Sequence, residues 1–537
     1  MTAASNRERG LATRILAANP LRALASGFML LGIAVGAVIA DRAAAHAATP
    51  ARAEFGAAWQ TVDCKSFDVP DAVAAQSDCG YVTAPEQHAL PKGRTIQLAV
   101  VRIRSTSKSP AADPLFVEQG GPGDSTSGVL VDAVFPALPE LQAVVKSRDL
   151  VFVEERGTRY SKPFLACPEY DARNIAVAKG EMAYTDPSWF TTCQARFEAQ
   201  GIRMGAFNTI ENAADVYFVA DTLGYRAFDY YGVSYGTLLG QYVIAQADQH
   251  KAKLRSVILD GVVRADIDFN LAGGHSMSYA LRNLFHACAQ DLRCSRAYPN
   301  LEQKFLAVVD QLNRQPVPLT LTTPLTKQAV VTKFDGNAFI SALVPLMARP
   351  YSGNTARGTS IPKFIQAASQ GNFDWAANSL SGDLETSDGS SKGMYQSVVC
   401  VRAKSVQATP DQALPPPYPQ LLAWGTREGE AVNRVCSILK ADLKPAFVYR
   451  NPEIPTLVLN GAYDPVTPQP YGEAVARNQR IAYVYTFPGL GHGSFFPPPG
   501  MLATACTIEI ATEFLANPGQ APNSSCLTQV KPLFVVE

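Results

Sequence analysis

One short segment, Phe228–Tyr242 (FDYYGVSYGTLLGQY), constrains the fold more than any other part of the chain. It places glycine-x-serine-x-glycine at positions 232–236, between an apolar run and an amphipathic segment. This order predicts a buried strand, a sharp turn and a helix, with glycines where side chains would collide with the neighbouring strand and helix. Ser234 would then have a strained backbone, and its hydroxyl would point off the end of a sheet. The alternative is a glycine-rich turn in which the serine only caps the helix.

Similar apolar runs, each ending in glycine or an acidic residue, recur along the chain. They are PLFVEQGGPG from Pro114, RDLVFVEERG from Arg148, LRSVILDGV from Leu254, PTLVLNGAYD from Pro455 and AYVYTFPGLGHG from Ala482. Runs without strict alternation are typical of strands buried on both faces. Helical patterns lie between several of them, and Asn208 with Glu211 resembles a helix cap. We therefore predict an α/β fold, a mostly parallel sheet with helices on both faces.

The alternation of strands and helices breaks between about Arg264 and Asn451. This stretch is rich in helix-like segments and prolines, and it holds four of the ten cysteines. A chain of 537 residues is also too long for one plain domain. We expect a mainly helical cap domain at 264–451, inserted into a core formed by 48–263 and 452–537.

The N-terminus differs in composition from the rest of the chain. Arginines precede an apolar run at 23–40, and the small-x-small sequence Ala45-His46-Ala47 follows it. This order is typical of a secretory signal peptide, so we expect cleavage after Ala47 and a secreted or periplasmic protein. An uncleaved membrane anchor is the alternative, since the run is near the shortest length that spans a bilayer. Removal of 1–47 would leave 42 basic and 45 acidic residues.

The ten cysteines fit export, because disulfides form and persist in oxidising compartments. The simplest interpretation joins sequence neighbours, although spacing alone does not determine connectivity. The expected pairs are Cys64–Cys79, Cys167–Cys193, Cys288–Cys294, Cys400–Cys436 and Cys506–Cys526. A metal site is disfavoured, because the sequence has no C-x-x-C and its six histidines do not cluster with cysteines.

The balance of charges in the chain limits the kinds of partner that it is expected to bind. Its 47 Lys+Arg balance 47 Asp+Glu, without a block of like charges. This balance argues against nucleic acid or an anionic membrane surface as a partner. We expect a monomer that needs no cofactor or metal and has no stable membrane association once the signal is cleaved.

A serine nucleophile needs an imidazole base and a carboxylate that orients the base. In the predicted fold the chain order is serine, acid, histidine. The histidines that lie late enough are His250, His275, His286 and His492. Only His492 lies in a glycine-rich loop directly after a strand-like run. Asp464 ends the preceding strand, whereas Asp260 ends a strand that the whole cap separates from His492. We favour Asp464 as the acid and interpret Asp260 as a structural cap.

Attack by the serine would also require amide donors for an oxyanion. The N–H of Tyr235, directly after the serine, is one. We expect the second in EQGGPGDS at 118–125, where adjacent glycines let the backbone approach a substrate. An ordinary Gly-Pro turn is the alternative.

Together these motifs resemble a known family. GGPG-x-S, R-G-x-x-x-S at 156–161, GVSYGT, Asp-Pro after a strand and Gly-His-Gly resemble α/β-hydrolases of the prolyl-iminopeptidase-like group. The length, export signal and C-terminal region are more similar to its secreted tripeptidyl-aminopeptidase branch. The resemblance covers roughly 80–260 and 400–526. It departs at Gln119, where the family has histidine, and in Glu154–Ser161, where the family has D-x-R-G-x-G-x-S.

The resemblance implies Ser234 as nucleophile, Asp464 as acid, His492 as base, and the amides of Gly121 and Tyr235 as oxyanion donors. It also implies that the substrate is a short peptide cleaved from its free N-terminus. Carboxylates must then hold the substrate ammonium, and Glu118, Glu154 and Glu155 are strand-end candidates. The alternatives are a carboxylesterase or other acyl hydrolase with the same triad, and a non-catalytic envelope binding protein of the same fold.

Overall fold

Nine strands form the central sheet of the computed structural model, which describes residues 55–134, 142–351, 359–403, 414–439, 447–495 and 501–536. The predicted signal peptide lies outside the described residues. In spatial order the sheet reads β1-β2-β3-β5-β4-β6-β7-β10-β11, and β8 and β9 form a separate hairpin. The strands are β1 Trp59–Thr61, β2 Ser77–Pro85, β3 Thr95–Ile103, β4 Leu115–Glu118, β5 Leu150–Val153, β6 Ala227–Val233, β7 Lys253–Asp260, β8 Val317–Thr322, β9 Ala329–Phe334, β10 Thr456–Gly461 and β11 Ala482–Phe487.

Strands β5, β4, β6, β7, β10 and β11 are parallel, while β1, β2 and β3 extend the sheet in antiparallel fashion. Every residue of β4, β5 and β10 is buried, as expected for strands covered on both faces. The prediction of a mostly parallel sheet is therefore confirmed.

Helices cover both faces of this sheet. The α-helices are α1 Asp71–Ala74, α2 Gln142–Val145, α3 Pro168–Ala178, α4 Ser188–Ala199, α5 Thr209–Thr222, α6 Tyr235–Gln246, α7 Phe269–Gln290, α8 Leu292–Ala297, α9 Leu301–Arg314, α10 Gly336–Ala348, α11 Ile361–Ser369, α12 Asp374–Ser381, α13 Lys392–Ala403, α14 Pro419–Ile438, α15 Gln469–Ala476 and α16 Leu502–Ala516. Short 3₁₀ turns occupy Cys64–Phe67, Met204–Ala206, Ala247–Gln249 and Ser525–Gln529, and Ser127–Val134 is a π-helix. The predicted cap of α5 is present, because the Asn208 side chain accepts hydrogen bonds from the amides of Ile210 and Glu211.

The chain between β7 and β10 leaves the sheet and has a hydrophobic core of its own. It contains helices α7 to α14, and its core includes Leu281, Phe305, Phe339 and Leu343. Helix α13 and the end of α14 pack instead against the core of the sheet, for example through Val398 and Val435. The β8–β9 hairpin also lies here and was not expected from the sequence. We propose that this region is a cap domain inserted into the hydrolase-like core.

The cysteines pair as sequence neighbours. The disulfides are Cys64–Cys79, Cys167–Cys193, Cys288–Cys294, Cys400–Cys436 and Cys506–Cys526. Such a set is typical of exported proteins. Within the described parts of the chain, no helix has both the length and the apolar character needed to cross a membrane.

The order of the strands creates a crevice at one edge of the sheet. The chain passes from β4 to β5 on one side, and later places β6 on the other side of β4. In open α/β sheets, ligands bind beside the carboxyl ends of strands at such a switch point. The two loops that meet here are the one that follows Glu118 and the one that holds Ser234.

The R-G-x-x-x-S segment at 156–161, next to this edge, has a structural role. The Arg156 guanidinium is fully buried and binds both carboxylate oxygens of Asp215 at 2.7 Å. It also donates to the backbone carbonyls of Glu86 and Ala206. Arg156 therefore ties the start of this loop to helix α5, and it does not contact Ser234.

Candidate active site

Ser234 occupies the turn between β6 and α6 in a strained backbone conformation. Its φ is 57° and its ψ is −122°, a region that side-chain-bearing residues rarely adopt. Ser234 occupies the position before helix α6, but its side chain forms no capping hydrogen bond. The interpretation of this serine as a simple helix cap is therefore wrong.

Both glycines of the corner are required by close backbone contacts. A Cβ on Gly232 would lie 2.1 Å from the carbonyl oxygen of Gly236. A Cβ on Gly236 would lie 2.7 Å from the carbonyl oxygen of Glu118, at the end of the neighbouring strand. The tight packing of strand, turn and helix thus explains the G-x-S-x-G pattern and fixes where the serine hydroxyl can point.

The glycine-rich loop after β4 lies directly against Ser234. A Cβ on Gly120 would lie 2.9 Å from the Ser234 Oγ, so only glycine fits here. The next residue, Gly121, has a φ of 113° and is exposed. The Tyr235 amide belongs to the first turn of α6, where amides have no partner within the helix. The two predicted oxyanion donors therefore come from the two loops that flank the serine.

Asp464 and His492 form a hydrogen-bonded pair in the loops that follow the parallel strands β10 and β11. The His492 Nδ1 lies 2.8 Å from the Asp464 Oδ2. The other Asp464 oxygen accepts the amides of Val466 and Thr467, each at 2.8 Å. Asp464 is buried, whereas the His492 side chain is 17% exposed. An acid held in this way fixes the orientation of the imidazole and leaves its Nε2 free for proton transfer.

Strand β7 connects the serine corner to this pair. The Ser234 amide donates to the carbonyl oxygen of Asp260 at 3.0 Å, and Gly261 follows Asp260. A Cβ on Gly261 would lie 3.3 Å from the His492 Nδ1 and 3.4 Å from the Asp464 Oδ2. Asp260, the last residue of β7, thus contacts the serine corner. Gly261, directly after it, lies against Asp464 and His492.

Asp260, the other strand-end acid, binds the backbone of the loop that contains His492. Its buried carboxylate accepts the Ser494 amide at 2.8 Å and the Tyr231 hydroxyl at 2.9 Å. Burial raises the pKa of Asp260 to about 6, although these donors oppose the shift. Asp260 contacts the backbone two residues after His492 rather than the ring, so it positions the loop.

The electrostatics at His492 favour its charged form. Burial alone would lower the pKa of the imidazole, but the charge of Asp464 and their hydrogen bond outweigh it, so the pKa is raised above 6.5. The Asp464 carboxylate would therefore stabilise the imidazolium that forms when His492 takes a proton from a nucleophile.

Thr467 is a site residue that the sequence analysis missed. Its hydroxyl donates to the Asp464 Oδ2 at 2.6 Å and lies 2.9 Å from the His492 Nδ1. Thr467 is also buried, so water does not compete for these contacts. The spacing Asp-x-x-Thr after a strand was the available signal, because a threonine three residues on can return a hydrogen bond to the acid.

We expect Thr467→Val to lower kcat/KM by about tenfold to a hundredfold, because Asp464 loses a hydrogen bond and can rotate away from the imidazole. Thr467→Ser, the matched control, retains the hydroxyl and should stay within about threefold of the wild type. Steady-state kinetics of both variants check this, with thermal unfolding as a measure of folding. Equal activity of the two variants would show that the hydroxyl does not position Asp464.

The three glutamates predicted to hold a substrate ammonium lie in the interior. Glu118, Glu154 and Glu155 are at most 3% exposed. Both oxygens of Glu118 and of Glu155 lack a hydrogen-bond partner among the described residues. Burial and the neighbouring carboxyls raise the pKa of Glu118 and of Glu155 well above the ordinary value. A role for these residues in binding an ammonium stays a prediction.

The strand order, the strained serine corner and the Asp464–His492 pair are the features of a hydrolase built on a doubly wound sheet. A comparison with known protein families agrees, because the model of the alpha/beta hydrolase fold family matches residues 113–499. The chain belongs to this family.

Relatives with curated names differ in the activity that their names state. A tripeptidyl aminopeptidase of Streptomyces coelicolor is 30% identical over 241 residues, which cover 42% of this chain and 41% of that protein. The serine protease Hip1 of Mycobacterium tuberculosis is 24% identical, with 92% of this chain and 95% of that protein covered. A carboxylesterase B of the same organism is 25% identical, with 81% and 84% covered.

Among solved structures, a thermophilic esterase from Thermogutta terrifontis is similar with a TM-score of 0.36 and 14% identity. The match covers 82% of this chain and 99% of the esterase chain.

Proposed function

We propose that this protein is an exported serine hydrolase that acts as an aminopeptidase, of prolyl or tripeptidyl type, on short peptides with a free N-terminus. The observation that carries the hydrolase part is the Asp464–His492 hydrogen bond beside the strained corner of Ser234. Relatives named tripeptidyl aminopeptidase and serine protease support the peptidase part.

In the proposed reaction, the Ser234 hydroxyl attacks the scissile carbonyl carbon while His492 accepts its proton. Asp464 holds the imidazole and stabilises the imidazolium. The amides of Tyr235 and Gly121 would donate to the oxyanion of the tetrahedral intermediate. His492 then returns the proton to the leaving amine, which leaves an acyl-enzyme at Ser234. A water molecule, deprotonated by the same base, releases the acid product.

A carboxylesterase is the second candidate, because a relative that covers most of this chain carries that name. The same residues would cleave an ester, since the geometry of the Asp464–His492 pair does not depend on the leaving group. A non-catalytic envelope binding protein is a further alternative, and the intact Ser, Asp and His set argues against it.

The test is a panel of arylamides that carry free mono-, di- or tripeptidyl groups, each paired with its N-acetylated form, together with simple aryl esters. We expect the free tripeptidyl or prolyl arylamides to turn over fastest, and acetylation to lower kcat/KM at least tenfold, because an ammonium-binding site rejects the blocked group.

Turnover of esters alone would refute the peptidase proposal and leave the serine hydrolase intact. Absence of turnover, together with failure of a fluorophosphonate to label Ser234, would refute both.

A further inference from the structure

A cavity of about 1030 Å³ lies between the core helix α3 and three parts of the insertion: the β8–β9 hairpin, α10 and α14. Ser234, Asp464 and His492 do not line it. The cavity lies next to the glycine-rich loop, however. Its lining residue Lys392 directly follows Ser391, whose amide donates to the Gly123 carbonyl oxygen at 2.8 Å. The cavity is thus a separate space that lies beside the glycine-rich loop.

Of the five basic residues that line the cavity, three lie around two tyrosine rings. The Arg173 guanidinium lies 5.8 Å from the ring centre of Tyr170, and the Lys392 ammonium lies 5.1 Å from the same ring. The guanidinium groups of Arg173 and Arg427 lie 4.7 and 4.1 Å from the ring centre of Tyr184. The two rings therefore bring all three positive charges to one wall of the cavity.

Arg173 is the critical member of this set, because it is buried and forms no ion pair among the described residues; Asp186 is near enough that the Arg173 charge, after the Ser188 amide, helps to lower its pKa. Arg173 is 8% exposed. It donates to two neutral acceptors, the Asn174 Oδ1 and the Tyr184 carbonyl oxygen, and its Nε has no partner among the described residues. A buried guanidinium that forms no close ion pair is costly, and a ligand carboxylate beside it would lower that cost.

Two of the three carboxyl groups of the cavity accept hydrogen bonds from other groups, and the third lies near Lys392. Glu428 accepts from Arg427 at 3.1 Å and from the Tyr184 hydroxyl. Burial raises the pKa of Asp383, an effect that Lys392 opposes and Glu428 reinforces. Asp335 caps its own helix by accepting the Ala338 amide. None of these three carboxyl groups forms an ion pair with Arg173 in the described part of the chain.

Other parts of the cavity wall are apolar. Lining side chains from the hairpin, α10 and α12 include Val317, Leu321, Val331, Val344 and Leu380. A ligand that satisfies both parts of the wall must combine a negative group with an apolar body. A planar guanidinium with a free N–H matches a carboxylate well.

We propose that this cavity binds a carboxylate attached to a short apolar body, with the carboxylate between Arg173 and Lys392. The C-terminus of a short apolar peptide and a medium-chain fatty acid both present this group, and the peptide is the preferred source because the cavity borders the glycine-rich loop. The proposal goes beyond the proposed function and does not depend on which bond Ser234 attacks.

Calorimetric titration tests the proposal with the full chain carrying Ser234→Ala, so that no ligand is consumed. The probes are trialanine, trialanine amide and octanoate. We expect the amide to bind at least tenfold more weakly than trialanine, because it lacks the charge that Arg173 and Lys392 receive. Tighter binding of octanoate than of trialanine would identify a fatty acid as the source of the carboxylate.

Variants of the cations separate this cavity from the active site. Arg173→Gln and Lys392→Gln, each added to Ser234→Ala, should weaken the binding of trialanine about tenfold. Arg434→Gln is the matched control, since Arg434 lies on α14 outside the cavity and pairs with Glu430. If Arg173→Gln lowers the unfolding temperature, the binding of trialanine to the Lys392→Gln variant decides the test, because Lys392 is only half-buried. Equal binding of trialanine and its amide, or unchanged binding in Lys392→Gln, would overturn the proposal.

Discussion

Replacement of Ser234 by alanine should abolish turnover, with kcat/KM lowered by about 10⁵-fold or more. The reason is that the proposed covalent route disappears, and only the oxyanion donors and substrate binding remain to accelerate hydrolysis. The fold should persist, because the Ser234 side chain makes no capping hydrogen bond and the backbone contacts of the corner come from glycines. The measurement is steady-state kinetics on the best substrate of the panel, together with loss of fluorophosphonate labelling.

Ser397→Ala provides the matched control for this variant. Ser397 is fully buried in α13, and its hydroxyl has no partner among the described residues. We expect its kcat/KM and its unfolding temperature to stay close to those of the wild type. Residual activity of Ser234→Ala above about one per cent would contradict the assignment of Ser234 as nucleophile.

Replacement of Asp464 by asparagine should lower activity by orders of magnitude more than the same replacement of Asp260. We expect Asp464→Asn to lower kcat/KM about 10⁴-fold, because the amide cannot stabilise the imidazolium and favours the wrong tautomer of His492. Asp260→Asn is the matched control, with the same change at the end of the neighbouring strand. It should lower kcat/KM about tenfold, because Asp260 binds the Ser494 amide and the Tyr231 hydroxyl rather than the imidazole. A larger loss in Asp260→Asn would reverse the assignment of the acid.

The pH dependence of kcat/KM gives an independent readout of the same pair. His492 must be neutral to accept a proton, and its pKa is raised above 6.5 because the effect of Asp464 exceeds that of burial. Activity of the wild type should therefore rise with pH through a midpoint above 6.5. Asp464→Asn removes the charge that raises the pKa, so its residual activity should show a lower midpoint. Asp260→Asn should produce a smaller downward shift, and an unchanged midpoint in Asp464→Asn would contradict the ion-pair model.

The strands and the serine corner could be predicted because they follow from local patterns. Each predicted apolar run became a strand of the sheet, and the two glycines around Ser234 are explained by contacts within one strand–turn–helix unit. The Asn208 cap of α5 is likewise a contact between residues two and three positions apart. Patterns of this kind depend on the chain near each residue, so one sequence is sufficient to recognise them.

Other features involve residues far apart in the chain. The β8–β9 hairpin has alternating exposed and partly buried residues and lies among helices, so the helical composition around it hid its signal. The binding of the Ser494 amide by Asp260 joins positions separated by 234 residues. The burial of Glu118 and Glu155 also depends on which helices cover the sheet, and a strand-end position alone does not reveal it.

The sequence by itself predicted the class of fold, the serine corner and the chain order of serine, acid and histidine, and it favoured, without determining, the pairing of cysteines as neighbours. These depend on periodicity, on glycines that close contacts require, and on the rule that parallel strands end at one edge of a sheet. Only the tertiary structure decided which acid contacts His492, that Thr467 supports that acid, and that Arg173 is buried without an ion-pair partner among the described residues. The physical reason is that hydrogen bonding, burial and charge at a site are set by elements that are distant in sequence and meet only after the chain has packed.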